Sequence, residues 1–399
     1  MGTFAERMSG VSVSATLKVA AEAERLRRAG HSVVDFSAGE PDFPTPEHVK
    51  SAGKAAIDAN FTRYTAAAGV LELREAVCVR YKAQYGVDIT PAEVLMTVGG
   101  KQALFNTALA LVNPGDEVVT HAPYWPTIPE QVKLVGGVPV IVQTSSEDGF
   151  AVKAEAIIAA MTPKTKAVIL NSPANPTGAL IDEPTVVAIT EECARRGVWL
   201  IVDLSYEQLI YEAVPHNLPK VLFDRHRDKT VLAGSASKSY AMTGWRCGWT
   251  IASKELTSVF NIIQGQTTSN ITSITQKAAL AAVAGPQTAV DEMLTEYRTR
   301  RDNIHAWLTA HPAIKCVKPK GAFYLFPDIS GLLAPGTTST DFAQGLLEKE
   351  HVVVTPGEAF DAPGYLRISY ATSMEQLREG ATRILRYAES LQPAKAGTR

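Results

Sequence analysis

Short apolar runs rich in β-branched residues alternate with longer helical patterns over residues 94–265. The runs VLMTV, KAVILN and WLIVDLSY are separated by segments such as GKQALFNTALALV and EPTVVAITEECARR, which have helical character. This alternation is typical of βα units, in which parallel strands form a sheet and helices cover both of its faces. We therefore predict an α/β fold built on a mostly parallel sheet.

The length of 399 residues exceeds the usual size of one domain. We predict that residues 46–300 form a large domain around the sheet and that residues 301–399 form a smaller α+β domain. A long charged helical pattern, a set of short strand patterns and a final helical pattern at residues 374–391 indicate the smaller domain. Residues 1–45 are predicted to form an N-terminal arm and part of the small domain.

The charge and the cysteine content exclude several classes of partner. A formal net charge of −2 produces no field that would attract nucleic acid or an anionic membrane. The four cysteines form no C-x-x-C pair, which argues against a zinc site and fits a reducing compartment. Neither an apolar run of membrane length nor a secretory leader pattern is present. These features predict a cytoplasmic protein that acts on small molecules.

Polar residues cluster immediately after five of the apolar runs. In open α/β sheets, ligands bind beyond the carboxyl ends of the strands, so these positions are the first candidates for a site. They lie at residues 99–102, 123–125, 171–178, 203–206 and 235–238. No single cluster is specific, so their combination decides which chemistry the chain supports.

The segment SASK places the amine of Lys238 beside the hydroxyls of Ser235 and Ser237, and Arg246 follows shortly afterwards. An amine forms an imine with an aldehyde cofactor, while hydroxyl and guanidinium groups donate hydrogen bonds to a phosphate. A solvated loop lysine near a surface arginine explains the same residues when they are taken alone. The segment therefore indicates an aldehyde cofactor with a phosphate only if the other clusters agree.

Asp203 ends the strongly apolar run WLIV, where an isolated carboxylate would be costly to bury. A protonated pyridine nitrogen would supply the missing cation and would keep such a ring an effective electron sink. Tyr206 could direct its phenol to the same ring. A helix-capping role for Asp203 and an ordinary buried tyrosine at position 206 would explain the same pattern.

Two further clusters offer groups that bind a phosphate or a flat ring. Gly99 and Gly100 precede a helical segment, whose open amide groups at its start would form an anion seat. Trp125 could stack on a planar ring, although packing in the core is the more common use of tryptophan.

The segment NSPANPTG imposes a rigid extended turn that leaves Asn175 available, although a purely structural turn has the same signature. Arg367 alternates with apolar residues in YLRISYA, so its guanidinium would point away from water. Either a bound carboxylate or an internal salt bridge would then be needed to neutralise it.

Taken together, these motifs resemble those of the class I and II aminotransferases with the aspartate aminotransferase fold. The likeness is greatest to the bacterial aspartate aminotransferase branch, which includes prephenate-accepting enzymes. It extends over residues 14–387, and the motifs occur in family order. The resemblance implies a homodimeric enzyme of fold type I that uses pyridoxal 5'-phosphate and moves amino groups by a ping-pong mechanism.

The resemblance also implies roles for individual residues. Lys238 would carry the cofactor as a Schiff base and move a proton, Asp203 would pair with the ring nitrogen, and Tyr206 would bind the ring's phenolic oxygen. The other cofactor contacts would come from Gly100, Lys101, Gln102, Trp125, Asn175, Ser235, Ser237, Arg246 and, across the dimer, Tyr64. The substrate would be held by Gly39, Thr16, Lys101, Trp125, Asn175 and Arg367.

Two segments depart from the family pattern. Leu204 and Ser205 stand where the family usually has Glu or a similar residue followed by an apolar one, and Ala174 replaces a common Asn. The spacing is unchanged, so the assigned roles are kept.

Lys101 and Thr16 imply an acidic substrate, since the corresponding residues of the resembling branch meet the distal carboxylate of aspartate or glutamate. Lys101 could instead serve the phosphate through its backbone alone. The same cofactor residues would also suit an aminotransferase of broader, aromatic or prephenate specificity, or a carbon–sulfur β-lyase on the same fold. In the branch that this chain resembles, prephenate-accepting enzymes tend to carry a basic residue just before the Ser-Ala-Thr segment. Because no basic residue stands just before Ser14, the resemblance implies weak prephenate activity at best.

Overall fold

The computed structural model describes residues 5–11, 15–212 and 216–391. In chain order, the strands are β1 (Val34–Asp35), β2 (Val94–Thr97), β3 (Glu117–Ala122), β4 (Val138–Gln143), β5 (Thr165–Asn171), β6 (Trp199–Asp203), β7 (Thr230–Ser235), β8 (Gly248–Ile251), β9 (Tyr324–Leu325), β10 (Val352–Val353), β11 (Thr355–Pro356) and β12 (Leu366–Ser369).

The α-helices, again in chain order, are α1 (Ala15–Arg28), α2 (Glu47–Asp58), α3 (Leu71–Tyr85), α4 (Gly99–Leu111), α5 (Thr127–Leu134), α6 (Ala154–Ala159), α7 (Glu183–Arg196), α8 (Leu218–His226), α9 (Ala236–Ser239), α10 (Lys254–Thr267), α11 (Ser273–Ala284), α12 (Thr288–Thr309), α13 (Ser339–Glu350) and α14 (Met374–Leu391). Among the residues that the structure describes, no helix is long and apolar enough to span a membrane.

The main sheet has seven strands in the order β2-β8-β7-β6-β5-β3-β4. The strands from β7 through β4 pair in parallel, whereas β8 is antiparallel to both of its neighbours. The prediction of an α/β fold with a mostly parallel sheet is therefore confirmed. Because β5, β6 and β7 run in the same direction, their carboxyl ends meet at one edge.

Local sequence explains where the elements between these strands begin and end. Helix α7 starts after Asp182, whose carboxylate accepts a hydrogen bond from the Thr185 amide at 2.8 Å. It ends at Gly197, which adopts a left-handed conformation with φ of 69° that favours glycine. The buried strand β6 follows directly, so the chain passes from helix to sheet within a few residues.

Alternate residues of the main-sheet strands enter different apolar clusters. Val94 and Met96 of β2 belong to one cluster and Leu95 to another, and Ile201 of β6 is separated in the same way from Leu200. This alternation is what a sheet with both faces covered requires.

Short strands from both ends of the chain form two smaller sheets. Strand β1 pairs in parallel with β10, and β12 is antiparallel to both β11 and β9. A third apolar cluster surrounds these strands and includes Phe36, Phe323 and Tyr370. This third cluster also contains Tyr206, so the loop after β6 packs against the core of the smaller sheets. The domain boundaries at residues 45 and 300 remain predictions.

A buried ion pair connects α3 to the loop after β6. Arg80 Nη2 lies 2.9 Å from Glu207 Oε1, and the two side chains are only 8 % and 2 % exposed. Tyr85 donates a hydrogen bond to the other carboxylate oxygen at 2.8 Å, and Arg80 donates to the Tyr240 hydroxyl. Arg80 thus holds two segments against α3. One is the loop that contains Tyr206 and Glu207, and the other is the segment at Tyr240.

Removing one partner of this pair is expected to destabilise the fold strongly. Glu207→Leu leaves Arg80 and Tyr85 buried without their acceptor, which should lower the free energy of unfolding by about 3–5 kcal/mol. Asp88→Asn breaks the exposed contact with Lys82, whose side chain is 56 % exposed, and should cost less than about 1 kcal/mol. Chemical denaturation followed by circular dichroism measures both values, and equal losses would contradict the expectation.

Candidate active site

Lys238 lies on α9, directly after the fully buried strand β7. The short helix begins at Ser235, whose hydroxyl accepts a hydrogen bond from the Ser237 amide at 3.1 Å. This cap turns the chain so that the Lys238 amine reaches the backbone carbonyl of Gly39 and donates a hydrogen bond to it. Residues that are distant in the sequence therefore meet at the carboxyl end of β7.

Burial lowers the pKa of Lys238 to about 8. The positive charges of Arg367 and Arg246 lower this pKa further, while Glu40 and Asp203 oppose the shift. The amine is therefore much closer to proton exchange at neutral pH than an ordinary lysine, whose pKa is about 10.4.

Asp203 ends β6 and lies opposite Ala233 of the neighbouring strand β7. Its side chain is buried, and its Oδ1 accepts hydrogen bonds from the Ser205 amide at 2.9 Å and the Ser205 hydroxyl at 2.7 Å. Burial raises the pKa of the carboxyl, while the Ser205 hydrogen bonds and the charge of Lys238 oppose the rise. A cation bound close to Asp203 would therefore lower its pKa and favour the ionised carboxylate.

Residues at the start of α4 form a candidate anion-binding site. A Cβ atom on Gly99 would stand 2.6 Å from Arg246 Nη2, and one on Gly248 would stand 2.6 Å from the Gly100 amide nitrogen. Arg246 donates to the backbone carbonyls of Thr243 and Val98, at 2.8 Å and 3.4 Å, and has no carboxylate within 4 Å among the described residues. This exposed guanidinium, which has no ion-pair partner, and the helix start together favour a phosphate.

A second uncompensated cation is Arg367 of β12, which is only 3 % exposed. Its Nη1 donates to Asn175 Oδ1 at 3.2 Å and its Nη2 to the Ser37 carbonyl at 2.8 Å, whereas its buried Nε has no partner. The rings of Tyr324 and Phe360 lie 4.6 Å and 5.0 Å from the guanidinium. In the described ranges no carboxylate pairs with Arg367, so the internal salt bridge that the sequence allowed is absent and a ligand carboxylate would fit.

A chain of neutral hydrogen bonds holds Asn175 in place. The Asn175 amide donates to Asn171 Oδ1 at 2.8 Å, and the Asn171 amide donates to His121 Nε2 at 3.3 Å. Burial lowers the pKa of His121 to about 4, which keeps this ring neutral and able to accept. The Asn171 side chain also donates to the Asp203 backbone carbonyl at 3.2 Å.

The sequence prediction did not assign a role to Tyr324, although it contacts several site residues. Its hydroxyl lies 2.8 Å from the Tyr206 hydroxyl and would be 3.2 Å from a Cβ on Gly39. The sequence predicted only short strands in this part of the chain, since an apolar pattern does not show which distant loop a tyrosine will meet. Asn171 and Ser205 were likewise within candidate clusters but had no assigned chemical role.

The structure does not bring every predicted site residue into contact with this group, and some of them bond to other parts of the protein. The Gln102 side chain accepts from the Val98 amide at 2.6 Å and donates to Thr268 at 2.8 Å, so it serves the start of α4. Tyr64 is 90 % exposed on this chain. The side chain of Thr16 lies outside the described part of the structure.

Lys101 and Trp125 lie close together at the rim of the site. The Lys101 ammonium is 5.1 Å from the centre of the Trp125 ring system. Local burial, followed by the charge of Arg246, lowers the pKa of Lys101. Trp125 is also partly buried against one apolar cluster of the main sheet, so its side chain contacts both the core and Lys101.

Comparisons with known proteins show the family to which the chain belongs. The family model for aminotransferase class I and II matches residues 31–384. The aspartate aminotransferase of Geobacillus stearothermophilus is 40 % identical over 97 % of this chain and 99 % of the relative. The aspartate/prephenate aminotransferase of Cereibacter sphaeroides is 41 % identical over 98 % of this chain and 100 % of the relative.

Solved structures show the same fold over almost the whole length. The aspartate aminotransferase from Thermus thermophilus with maleate superposes with a TM-score of 0.91 at 40 % identity, covering 97 % of this chain and 100 % of that one. The aspartate aminotransferase from Rhizobium meliloti gives a TM-score of 0.93 at 38 % identity, covering 98 % and 99 %.

The Lys238 amine is expected to titrate at about pH 8 in the full chain without cofactor. Its modification by an amine-selective reagent, followed by peptide mass spectrometry, should show that midpoint. Because the unfolded lysine binds its proton more tightly, Lys238 disfavours folding at neutral pH, and this effect diminishes as pH rises from about 8 to 10. Arg367→Met removes a positive charge and should raise the midpoint. A midpoint near 10 in the unmodified chain would exclude the predicted effect of burial.

Proposed function

Because this chain belongs to the class I and II aminotransferase family, we propose that it moves an amino group between an acidic amino acid and a 2-oxo acid. The amino acid would be aspartate or glutamate, and the acceptor 2-oxoglutarate or oxaloacetate. Aminotransferases of this type depend on pyridoxal 5'-phosphate. When bound, the cofactor supplies an aldehyde that combines with amines and a ring that delocalises electrons.

One observation carries the proposal: two cations without carboxylate partners in the described residues, Arg246 and Arg367, both act on the Lys238 amine. Arg246 lies beside the start of α4 and Arg367 lies on β12. The amine therefore has one anion-binding position toward α4 and another toward β12. A phosphate-bearing cofactor and a carboxylate-bearing substrate satisfy both positions at once. A lone phosphate would leave the buried Arg367 without a counterion, whereas Arg246 is exposed to solvent.

The residues around the first position fit the cofactor. Arg246, the start of α4 and the hydroxyls of Ser235 and Ser237 would hold the phosphate. Asp203 would face the ring nitrogen, where a carboxylate stabilises a protonated pyridine. Tyr206, Asn175 and Trp125 would complete the ring contacts, with the two polar groups serving its phenolic oxygen.

Lys238 would also move the proton of the substrate. A general base works best when its pKa is near the operating pH, and burial lowers the pKa of Lys238 to about 8. With Arg367 holding the α-carboxylate, the Cα–H bond would be presented to this amine. The Gly39 carbonyl, which accepts from the amine, would keep it aimed into the site.

The side-chain carboxylate of the substrate would be bound by Lys101, with Thr16 nearby. The relatives named aspartate aminotransferase support an acidic substrate, as does the Thermus structure with maleate, a dicarboxylate. In this chain the Lys101 ammonium lies beside Trp125, at the rim of the proposed ring site, without a carboxylate partner among the described residues. A distal carboxylate would provide one.

Lys101→Ser tests both the reaction and the substrate class. The variant should lose about 10- to 100-fold more kcat/KM with aspartate than with an aromatic donor, since only aspartate loses a charge-assisted contact. Steady-state rates with a panel of donors and 2-oxoglutarate measure this difference. Lys164→Ser changes an exposed lysine near the amino end of β5 and should leave both rates unchanged.

Equal losses on both donors in Lys101→Ser would show that Lys101 serves the cofactor and not the substrate side chain. Release of ammonia and pyruvate from a cysteine conjugate without any oxo-acid acceptor would instead identify a carbon–sulfur lyase and overturn the transaminase proposal.

The active enzyme is proposed to be a cytoplasmic homodimer with shared sites. Tyr64 supports the dimer, because a tyrosine side chain that is 90 % exposed on one chain is readily explained by contact with a second copy. The four cysteines, all free in the described residues, are compatible with a reducing compartment.

Mixing two inactive variants tests the shared site. Lys238→Ala lacks the catalytic amine, and Tyr64→Ala lacks the proposed contact to the partner's phosphate, so each should be strongly impaired at low cofactor concentration. Hybrid dimers contain one site with both residues intact, which should restore up to about a quarter of wild-type activity. Absence of recovery after subunit exchange, verified by mass spectrometry, would contradict a site that uses Tyr64 of the neighbouring subunit.

A further inference from the structure

The Asp203 carboxylate has an unusual local environment. Its Oδ1 accepts two hydrogen bonds from Ser205, one from the amide at 2.9 Å and one from the hydroxyl at 2.7 Å. Because an ionised carboxylate can only accept, the hydroxyl must donate its proton to Asp203. No cation lies within 4 Å of this carboxylate in the described ranges.

The same short motif occurs elsewhere in the chain with a different electrostatic partner. Ser37 donates its amide and its hydroxyl to Asp35 Oδ1 at 2.9 Å and 2.7 Å, but Arg27 also pairs with Asp35 at 2.9 Å. Asp35 is thus stabilised by a full positive charge. Asp203 has no ion-pair partner in the part of the chain that the structure describes, and only the more distant charge of Lys238 adds to the Ser205 hydrogen bonds, so loss of that hydroxyl should affect it more.

Ser205 also lies on the side of Asp203 that faces the start of α4. Its hydroxyl oxygen is 3.2 Å from the position of a Cβ on Gly100. The hydrogen bond therefore stands at the border of the proposed phosphate and ring site and not on the outer surface. A group at this position can influence how Asp203 is aimed toward a bound ring.

We propose that Ser205 is a positioning residue whose hydroxyl keeps the Asp203 carboxylate ionised and correctly oriented toward the cofactor ring nitrogen. This inference rests on the proposed function, because it takes Asp203 as the partner of that nitrogen. A hydrogen bond to the charged form of an acid favours that form. The carboxylate would then keep the ring nitrogen protonated over a wider pH range.

The charges around Asp203 are consistent with this role. Burial raises the pKa of Asp203, the Ser205 hydrogen bonds oppose this rise, and the Lys238 ammonium opposes it from α9. Tyr206, on the same loop, also interacts electrostatically with Asp203. Since the pKa of Lys238 is about 8, its ammonium contribution weakens with increasing pH, whereas the hydrogen bond from Ser205 does not titrate.

A merely structural turn predicts a different result. The backbone amide of Ser205 alone can close the turn with Asp203, and any residue at position 205 except proline supplies that amide. If the hydroxyl had no electrostatic role, Ser205→Ala would leave the ionisation of Asp203 unchanged. The hydroxyl and the amide are therefore separable by substitution.

The first test uses the full chain without cofactor and Asp side chains labelled with carbon-13. Asp203→Asn assigns the Asp203 carboxyl resonance. Ser205→Ala should raise the titration midpoint of that resonance by about one pH unit, and Ser205→Thr, which keeps a hydroxyl, should restore it. Ser37→Ala is the matched control, since it removes the same serine hydroxyl from the other motif, and it should leave the Asp203 midpoint unchanged. An unaltered Asp203 midpoint in folded Ser205→Ala would overturn the inference.

The second test follows the absorption spectrum of the protein with pyridoxal 5'-phosphate as a function of pH. The pH at which the absorption of the bound cofactor is half-changed should differ between Ser205→Ala and Ser205→Thr. A shift of the Asp203 resonance without a spectral shift would overturn the link between Asp203 and the ring nitrogen. Failure of the unmodified chain to bind the cofactor at all would refute the proposed function itself, so the two failures are distinguishable.

Discussion

Parallel hydrogen bonding among β5, β6 and β7 determines where the chemistry of this protein can occur. The register places Asn171 opposite Asp203, and Asp203 opposite Ala233, two residues before the Ser235 cap. Three consecutive strand ends therefore deliver an amide, a carboxylate and a lysine to one edge. A shift of one residue would turn these side chains to the other face of the sheet, so the register and the site are coupled.

The cost of burying charge explains how the charged groups near this edge are arranged. Lys238, Asp203 and Arg367 are all removed from most of the solvent, but they are not joined as ion pairs within the described chain. The fold instead pairs Arg80 with Glu207 behind the site, where the charges compensate each other. Charged groups without an ion-pair partner, such as Arg367, thus lie at the proposed site. The paired charges of Arg80 and Glu207 hold the loop after β6 in place. Ligand binding would supply the charges that are missing.

Sequence patterns predicted some parts of this arrangement better than others. Asp203 and Lys238 were identified because each follows an apolar strand, and the α/β fold on which that placement depends is confirmed. Tyr324 was not identified, since its neighbours Gly39 and Tyr206 are far from it along the chain. The role of Gln102 at the cofactor stays a prediction, and the structure adds that its side-chain amide bonds to Val98 and Thr268.

The sequence alone determined which chemical groups end the strands, because β-branched runs and helical periods define where strands stop. It also determined the family, whose cofactor follows from membership. Only the tertiary structure decided which charges remain without partners, how far burial lowers the pKa of Lys238, and that Ser205 serves Asp203. These properties depend on burial and on distances between segments far apart in the chain, which local sequence patterns do not encode.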